Sequence, residues 1–360
     1  MLVLRRAALA LALASVSAPA QIQIVELEPT RDTTLYFDAT GSLANGAGSG
    51  LFVGRTGQGR AVRALLFFDV AAAVPAGMVI TRAELELQVS RTRSSGMVIS
   101  VHRLNQSWGE GSSNAARGGG GGAPATTGDA TWLHRFFPSQ LWATPGGDFA
   151  VVATAMAAAG SFGPVIWPTS AALVADAQTM LDHPATNFGW LLRGDENTSA
   201  LRLDSREASA ALRPKLRLRY GPRAELASFG AGCSSSGSAP LVLSGLGLPR
   251  LGTSFQAQLQ GAPNGAPSFL FYSVGLETTP ISIGNGCSIL LDLASSQFFA
   301  GIGLSPYGPA FVTGGVANHS VALPFHALLA GVRFEYQAFV LDPSPTTVRS
   351  SNVLRARLGL

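Results

Sequence analysis

Ile80-Thr81-Arg82-Ala83-Glu84-Leu85-Glu86-Leu87-Gln88-Val89 alternates apolar and polar residues with a period of two. In an extended chain successive side chains point to opposite faces, so Leu85, Leu87 and Val89 face a core and Glu84, Glu86 and Gln88 face water. Shorter runs of the same kind flank it at residues 22–27, 32–36, 51–54, 98–104, 187–194, 202–207 and 213–220. Residues 63–69 (Arg63-Ala64-Leu65-Leu66-Phe67-Phe68-Asp69) are strongly apolar and read as a central strand. One stretch reads as a helix, 169–183. Ser170 is its cap, Leu173, Val174, Ala177, Met180 and Leu181 form one stripe, and Pro184 stops it. Beyond a linker at 221–232, further short strands are expected at 241–248, 254–259, 268–274, 288–293, 320–325, 332–341 and 352–358. The expectation is an all-β chain of two β-sandwich domains, residues 21–222 and 223–360, with one short helix in the first.

Composition narrows the function classes. Charged residues are 13%, far below the roughly 25% of an average soluble protein. Residues 1–20 read as a signal peptide, with Arg5-Arg6, an apolar run from Ala7 to Val16 and Ala18-Pro19-Ala20 at the cleavage site. That run is too short to span a bilayer, so the mature chain has no expected membrane span and is secreted or extracellular. Removing Arg5 and Arg6 from a net charge of +4 leaves +2. Such a balance lacks the cationic excess needed to neutralise many phosphates, which argues against nucleic acid. Arg213, Lys215, Arg217 and Arg219 alternate on one strand and read as a solvated sheet face. Cys233 and Cys287 are the only cysteines, and in an oxidising compartment they are expected to pair.

Asp129-Ala130-Thr131-Trp132-Leu133-His134-Arg135, Trp142 and Thr144-Pro145-Gly146-Gly147-Asp148-Phe149 crowd tryptophan, His, Arg and Asp into a loop-like stretch. Indole faces stack on the C–H faces of sugar rings, and Asp, Arg and His bond hydroxyls. Trp132, Trp142, His134, Arg135, Asp129 and Asp148 are therefore the candidate ligand-binding residues. Trp142, beside Ala143-Thr144-Pro145, is the ring expected at the surface, and Trp190 the one expected in the core. Residues 109–128, with glycine at 118–122, read as a mobile loop. It lacks the Gly-Lys-Ser/Thr of a phosphate cradle.

No His-Glu-x-x-His or Gly-x-Ser-x-Gly occurs, and the five His residues stand singly. No catalytic residue is assigned. Pairs such as Asp129 with Asp148, or Glu110 with Asp129, keep open a weak glycoside hydrolase or polysaccharide lyase. No cofactor is certain. A structural calcium is conceivable, with Asp32, Asp204 and Glu207 as metal ligands, although no dedicated calcium-loop spacing is present.

Asp32-Thr33-Thr34-Leu35, the 130–149 segment, Asn187-Phe188-Gly189-Trp190-Leu191-Leu192-Arg193-Gly194, Ser205-Arg206-Glu207 and Arg213-Pro214-Lys215-Leu216 together resemble the DNRLRE-type domain, which is grouped with carbohydrate-binding module family 96. The resemblance covers about residues 24–220, and its glycine-rich loop before Asp129 is longer than the pattern. It implies a jelly-roll-like sandwich on a secreted protein and a non-catalytic role in binding extracellular or cell-wall polysaccharide. The second domain resembles the small β modules at the C-termini of exported bacterial proteins, through Phe229-Gly230-Ala231-Gly232-Cys233, Leu341-Asp342-Pro343 and Ser351-Asn352-Val353-Leu354-Arg355. The alternative to a binder is a structural or adhesive surface protein whose tryptophans are all buried.

Overall fold

The computed structural model describes residues 22–92, 96–115, 118–234, 239–294, 308–343 and 346–360. The signal-peptide expectation for residues 1–20 lies outside them. Among the described residues no helix is long and apolar enough to cross a membrane. The chain divides into two compact units, residues 22–223 with Leu360, and residues 224–359. Both are all-β with antiparallel sheets.

In the first unit an eleven-stranded sheet folds over on itself. One layer runs Gln23–Leu27, Lys215–Pro222, Met78–Arg91, Leu201–Asp204, Gly50–Arg55, with Gly163–Trp167 also pairing along Met78–Arg91. The other holds Arg31–Tyr36, Ala61–Phe67, Trp190–Arg193, Met97–Arg103 and Ala155–Ala159. The Gly50–Arg55 strand passes between layers. Leu51 and Val53 pair with Leu203 and Leu201, whereas Gly54 and Arg55 pair with Val62 and Ala61. The crossing needs glycine: Gly54 has φ of +108°, and a Cβ there would lie 3.0 Å from the Thr198 carbonyl oxygen.

Alternation decides which side chains fill the sandwich. Ala83, Leu85, Leu87 and Val89 face Leu216, Leu218, Leu201, Leu203, Leu66, Val101 and Trp190 in one buried cluster, as the period of two requires. Glu84 and Glu86 stay outside and bind Arg217 at 3.1 and 2.7 Å, while Lys215 and Arg213 pair with Glu26 and Glu28. The basic stripe is thus balanced by carboxylates. Helix Ala171–Asp182 starts where expected, with Ser170 accepting a hydrogen bond from the Leu173 N–H. It closes one end of the core with Leu173, Ala177, Met180 and Leu181. A single extra helical turn, Val70–Ala73, is capped by Asp69.

The second unit has a five-stranded sheet, ordered Glu225–Phe229, Thr346–Arg357, Arg333–Pro343, Pro267–Ser273, Ala310–Phe311, and a three-stranded sheet of Val242–Leu246, Ser254–Gln260 and Val316–Ala322. The expected linker at 221–232 is largely strand: Lys215–Pro222 runs into it and Glu225–Phe229 pairs with Thr346–Arg357. Pairing to an open sheet edge uses backbone groups, which composition does not reveal. Cys233 and Cys287 form a disulfide across a separation of 54 residues. On the chain-entropy account such a closure stabilises by about 4 kcal/mol.

His319 is 2% exposed on its strand, with Nε2 2.9 Å from the Ser268 hydroxyl of the other sheet and Nδ1 without a partner. Burial pushes its pKa down to about 4. The folded state therefore keeps His319 neutral while the unfolded chain takes up a proton below about pH 6.5. This contribution to stability is present above pH 6.5 and is lost as the pH falls toward 4. Between pH 7.5 and 5 the second unit is expected to lose about 2 kcal/mol from this group. Urea unfolding of His319→Asn and wild type at both pH values checks this, with the flatter dependence expected in the variant.

Candidate functional site

The outer face of the Arg31–Tyr36, Ala61–Phe67 and Trp190–Arg193 sheet is covered by the chain between residues 104 and 149. Leu35, Leu65 and Leu191 on that face pack against Leu104, Trp108, Ala130, Trp132 and Trp142. The expectation for Trp142 is therefore corrected. It is 4% exposed, and its indole N–H donates to the Thr131 carbonyl at 3.0 Å. Trp132 is buried too, edge-on to Phe37, with the Arg63 guanidinium 4.6 Å from its ring centre. Trp190 is a core residue as expected. Trp108 and Trp167 are equally buried, their N–H groups donating to the Phe188 and Ile99 carbonyls. All five indoles serve the interior, and none of them offers its face for stacking.

The polar candidates of this stretch are held locally. Asp129 is buried; its Oδ2 accepts from the Thr126 N–H and hydroxyl, and its Oδ1 from the Ser113 N–H. Asp148 accepts from the Ala143 and Thr144 N–H groups at 2.8 and 2.7 Å and so shapes the Thr-Pro-Gly-Gly turn. His134, half-buried, lies 3.1 Å from the Thr131 hydroxyl and edge-on to Phe137. Arg135, also half-buried, donates to Ser107. Asp129 and Asp148 are engaged as turn and loop ligands, so neither presents a free carboxylate pair to a glycosidic bond.

The structure brings Asp32 and Glu207 together but not Asp204. Asp204 pairs with Arg202 at 2.7 Å. The third member is Glu110: one carboxylate oxygen from each of Asp32, Glu110 and Glu207 lies within 4.8 Å of the others. Arg206 binds Glu110 at 3.0 Å and Glu207 at 3.2 Å. The Asp32 N–H donates to Glu110, and the Arg206 N–H to Asp32 Oδ2. Burial, then the Glu207 charge, push the Asp32 carboxyl well above its ordinary range, and burial raises Glu110 as well. No local spacing points to Glu110, which is 78 residues from Asp32.

A groove of about 300 Å³ opens elsewhere in the first unit. Phe52, Arg55, Gln58, Arg91 and Arg202 line it together with Gly118, Gly120 and Gly121. None of its described lining residues is acidic. Arg55 donates to the carbonyls of Glu196 and Gly59, and Arg202 pairs with Asp204. Arg91 is exposed and pairs with no carboxylate among the described residues. The glycine run, expected to be mobile, is pinned: the Tyr36 hydroxyl donates to the Gly119 carbonyl at 2.7 Å and Arg60 to that of Gly121. Gly119 lies at φ +85°, where a Cβ would sit 2.9 Å from the Phe52 ring. The run hugs the sheet because it has no side chains, and this leaves the groove open.

No protein-family model matches the chain. No curated protein matches it either.

If Trp142 is structural, Trp142→Ala lowers the stability of the first unit by about 3–5 kcal/mol. Denaturant unfolding followed by fluorescence measures this. In the folded wild type, acrylamide quenches tryptophan emission weakly.

Proposed function

We propose that this chain is an exported, non-catalytic polysaccharide-binding protein, and that its ligand lies in the groove beside the glycine run rather than on the 129–149 stretch. The observation that supports this is the groove itself: open, walled by Phe52, Gln58 and three arginines, and free of acidic side chains among its described lining residues. Guanidinium groups bond carboxylate and sulfate in a forked geometry, and amide and backbone groups bond hydroxyls. Acidic polysaccharide is the ligand class this chemistry favours. The burial of every tryptophan favours a second reading, a structural or adhesive surface protein.

Affinity electrophoresis in gels containing acidic or neutral polysaccharides separates the two. Binding predicts retardation by acidic polymers that weakens with salt. Arg91→Ala is expected to reduce retardation several-fold, and Gly120→Phe, which fills the groove from a position with room around its Cβ, to abolish it. Neither change is expected to alter folding. A folded protein retarded by no polymer supports the structural reading.

A further inference from the structure

We infer that Asp32, Glu110 and Glu207 form a binding site for one divalent cation of calcium size. The three carboxylates come from distant parts of the chain. Asp32 opens the Arg31–Tyr36 strand, Glu110 lies in the covering loop after Trp108, and Glu207 lies in the turn after Leu201–Asp204. Oxygens bound to one calcium at about 2.3–2.6 Å lie no more than about 5 Å apart. One oxygen from each of these residues meets that limit, all within 4.8 Å of one another.

An acidic cluster alone would not require an ion. The second observation is Asp32 Oδ1. The residue is 0% exposed, its Oδ2 accepts from the Arg206 N–H, and its Oδ1 has no hydrogen-bond partner. A buried carboxylate oxygen without a donor or a cation is costly. Arg206 does not supply the missing partner, because its guanidinium engages Glu110 and Glu207. Arg31, beside Asp32 in the chain, donates to the Trp108 carbonyl and lies over the Phe67 ring. Three carboxylates thus share the one guanidinium that binds the cluster, and the most buried acid, Asp32, is not bonded to it. A small hard cation supplies both the charge and the ligand. The all-oxygen donor set selects calcium or magnesium over zinc, and three protein carboxylates favour calcium, since magnesium keeps most of its waters and takes one or two. Bound there, the ion ties the start of a strand to the covering loop and to the 205–207 turn.

The test uses the full chain, stripped with EDTA. Terbium luminescence sensitised by tryptophan, competition by calcium, and thermal unfolding with 1 mM calcium or EDTA are measured on wild type, Glu207→Gln and Asp204→Asn. Glu207 reaches in from the surface, so its amide variant is expected to fold even if Asp32→Asn does not. The expected result is one ion per chain, displaced by calcium, with a rise in Tm on the order of 5 °C at saturation. Glu207→Gln should weaken binding at least tenfold, whereas Asp204→Asn should leave it unchanged. A folded wild type that binds neither ion and has one Tm in calcium and EDTA would overturn the site. So would binding that is indifferent to Glu207→Gln.

Discussion

Arg63 carries a positive charge into the interior of the first unit, and its partners come from two separate segments of the chain. Its Nε meets Glu196 at 2.6 Å, its Nη1 donates to the Gly146 carbonyl at 2.8 Å, and its plane lies near Trp132 and Phe149. A buried charge is tolerated only when paired and hydrogen-bonded. Although burial favours the neutral form of Glu196, the hydrogen bond and charge of Arg63 hold its carboxyl below its ordinary range. Gly146 belongs to the covering loop and Glu196 to the turn after Trp190–Arg193. One guanidinium therefore fixes the loop, the sheet and the turn together. Losing the Glu196 carboxylate would leave this cation unneutralised, and a side chain at Gly146 would strike it, its Cβ lying 2.5 Å from Arg63 Nη1.

That constraint explains why the tryptophans of the 129–149 stretch are buried although its sequence reads as a binding loop. Tryptophan in a loop must be anchored or offered to a ligand, and here the sheet beneath has a second apolar face to cover. The strand itself was legible in the strongly apolar run Arg63-Ala64-Leu65-Leu66-Phe67-Phe68, although the need to cover both of its faces was not. Leu66 enters the sandwich and Leu65 the outer cluster. The inward set of residues 80–89, the helix with its Ser170 cap and the core position of Trp190 were equally legible, because each rests on local periodicity. The burial of Trp142 was not. Its neighbours Ala143-Thr144-Pro145-Gly146-Gly147 read as a turn, and only the fold sets the Thr131 carbonyl against its N–H and buries the ring in the cluster of Leu35, Leu65 and Leu191. Glu110 was singled out only as a partner of Asp129, because a contact with Asp32 across 78 residues leaves no local pattern.

The glycine run shows composition used for shape. A loop bare of side chains is usually read as mobile, yet the Tyr36 and Arg60 bonds hold this one against Phe52. Side chains at Gly119 would strike the ring, and side chains at Gly120 or Gly121 would enter the groove. The same absence that permits close approach also keeps the cavity vacant.

The groove and the acidic trio share a short segment, residues 201–207. Leu201 and Leu203 point into the sandwich, Arg202 lies on the groove, and Asp204 holds Arg202. Ser205 donates to the Gly48 carbonyl, and Arg202 to that of Ser49. Two residues on, Glu207 reaches the trio with Asp32 and Glu110. Arg202 is fixed at its guanidinium by Asp204, Ser90 and Ser49, so its position depends on where the 204–207 turn sits. A cation that clamps this turn to the start of the Arg31–Tyr36 strand would hold the groove wall as well, without touching the ligand. Such a coupling would be mechanical and short, running through one strand end and one turn.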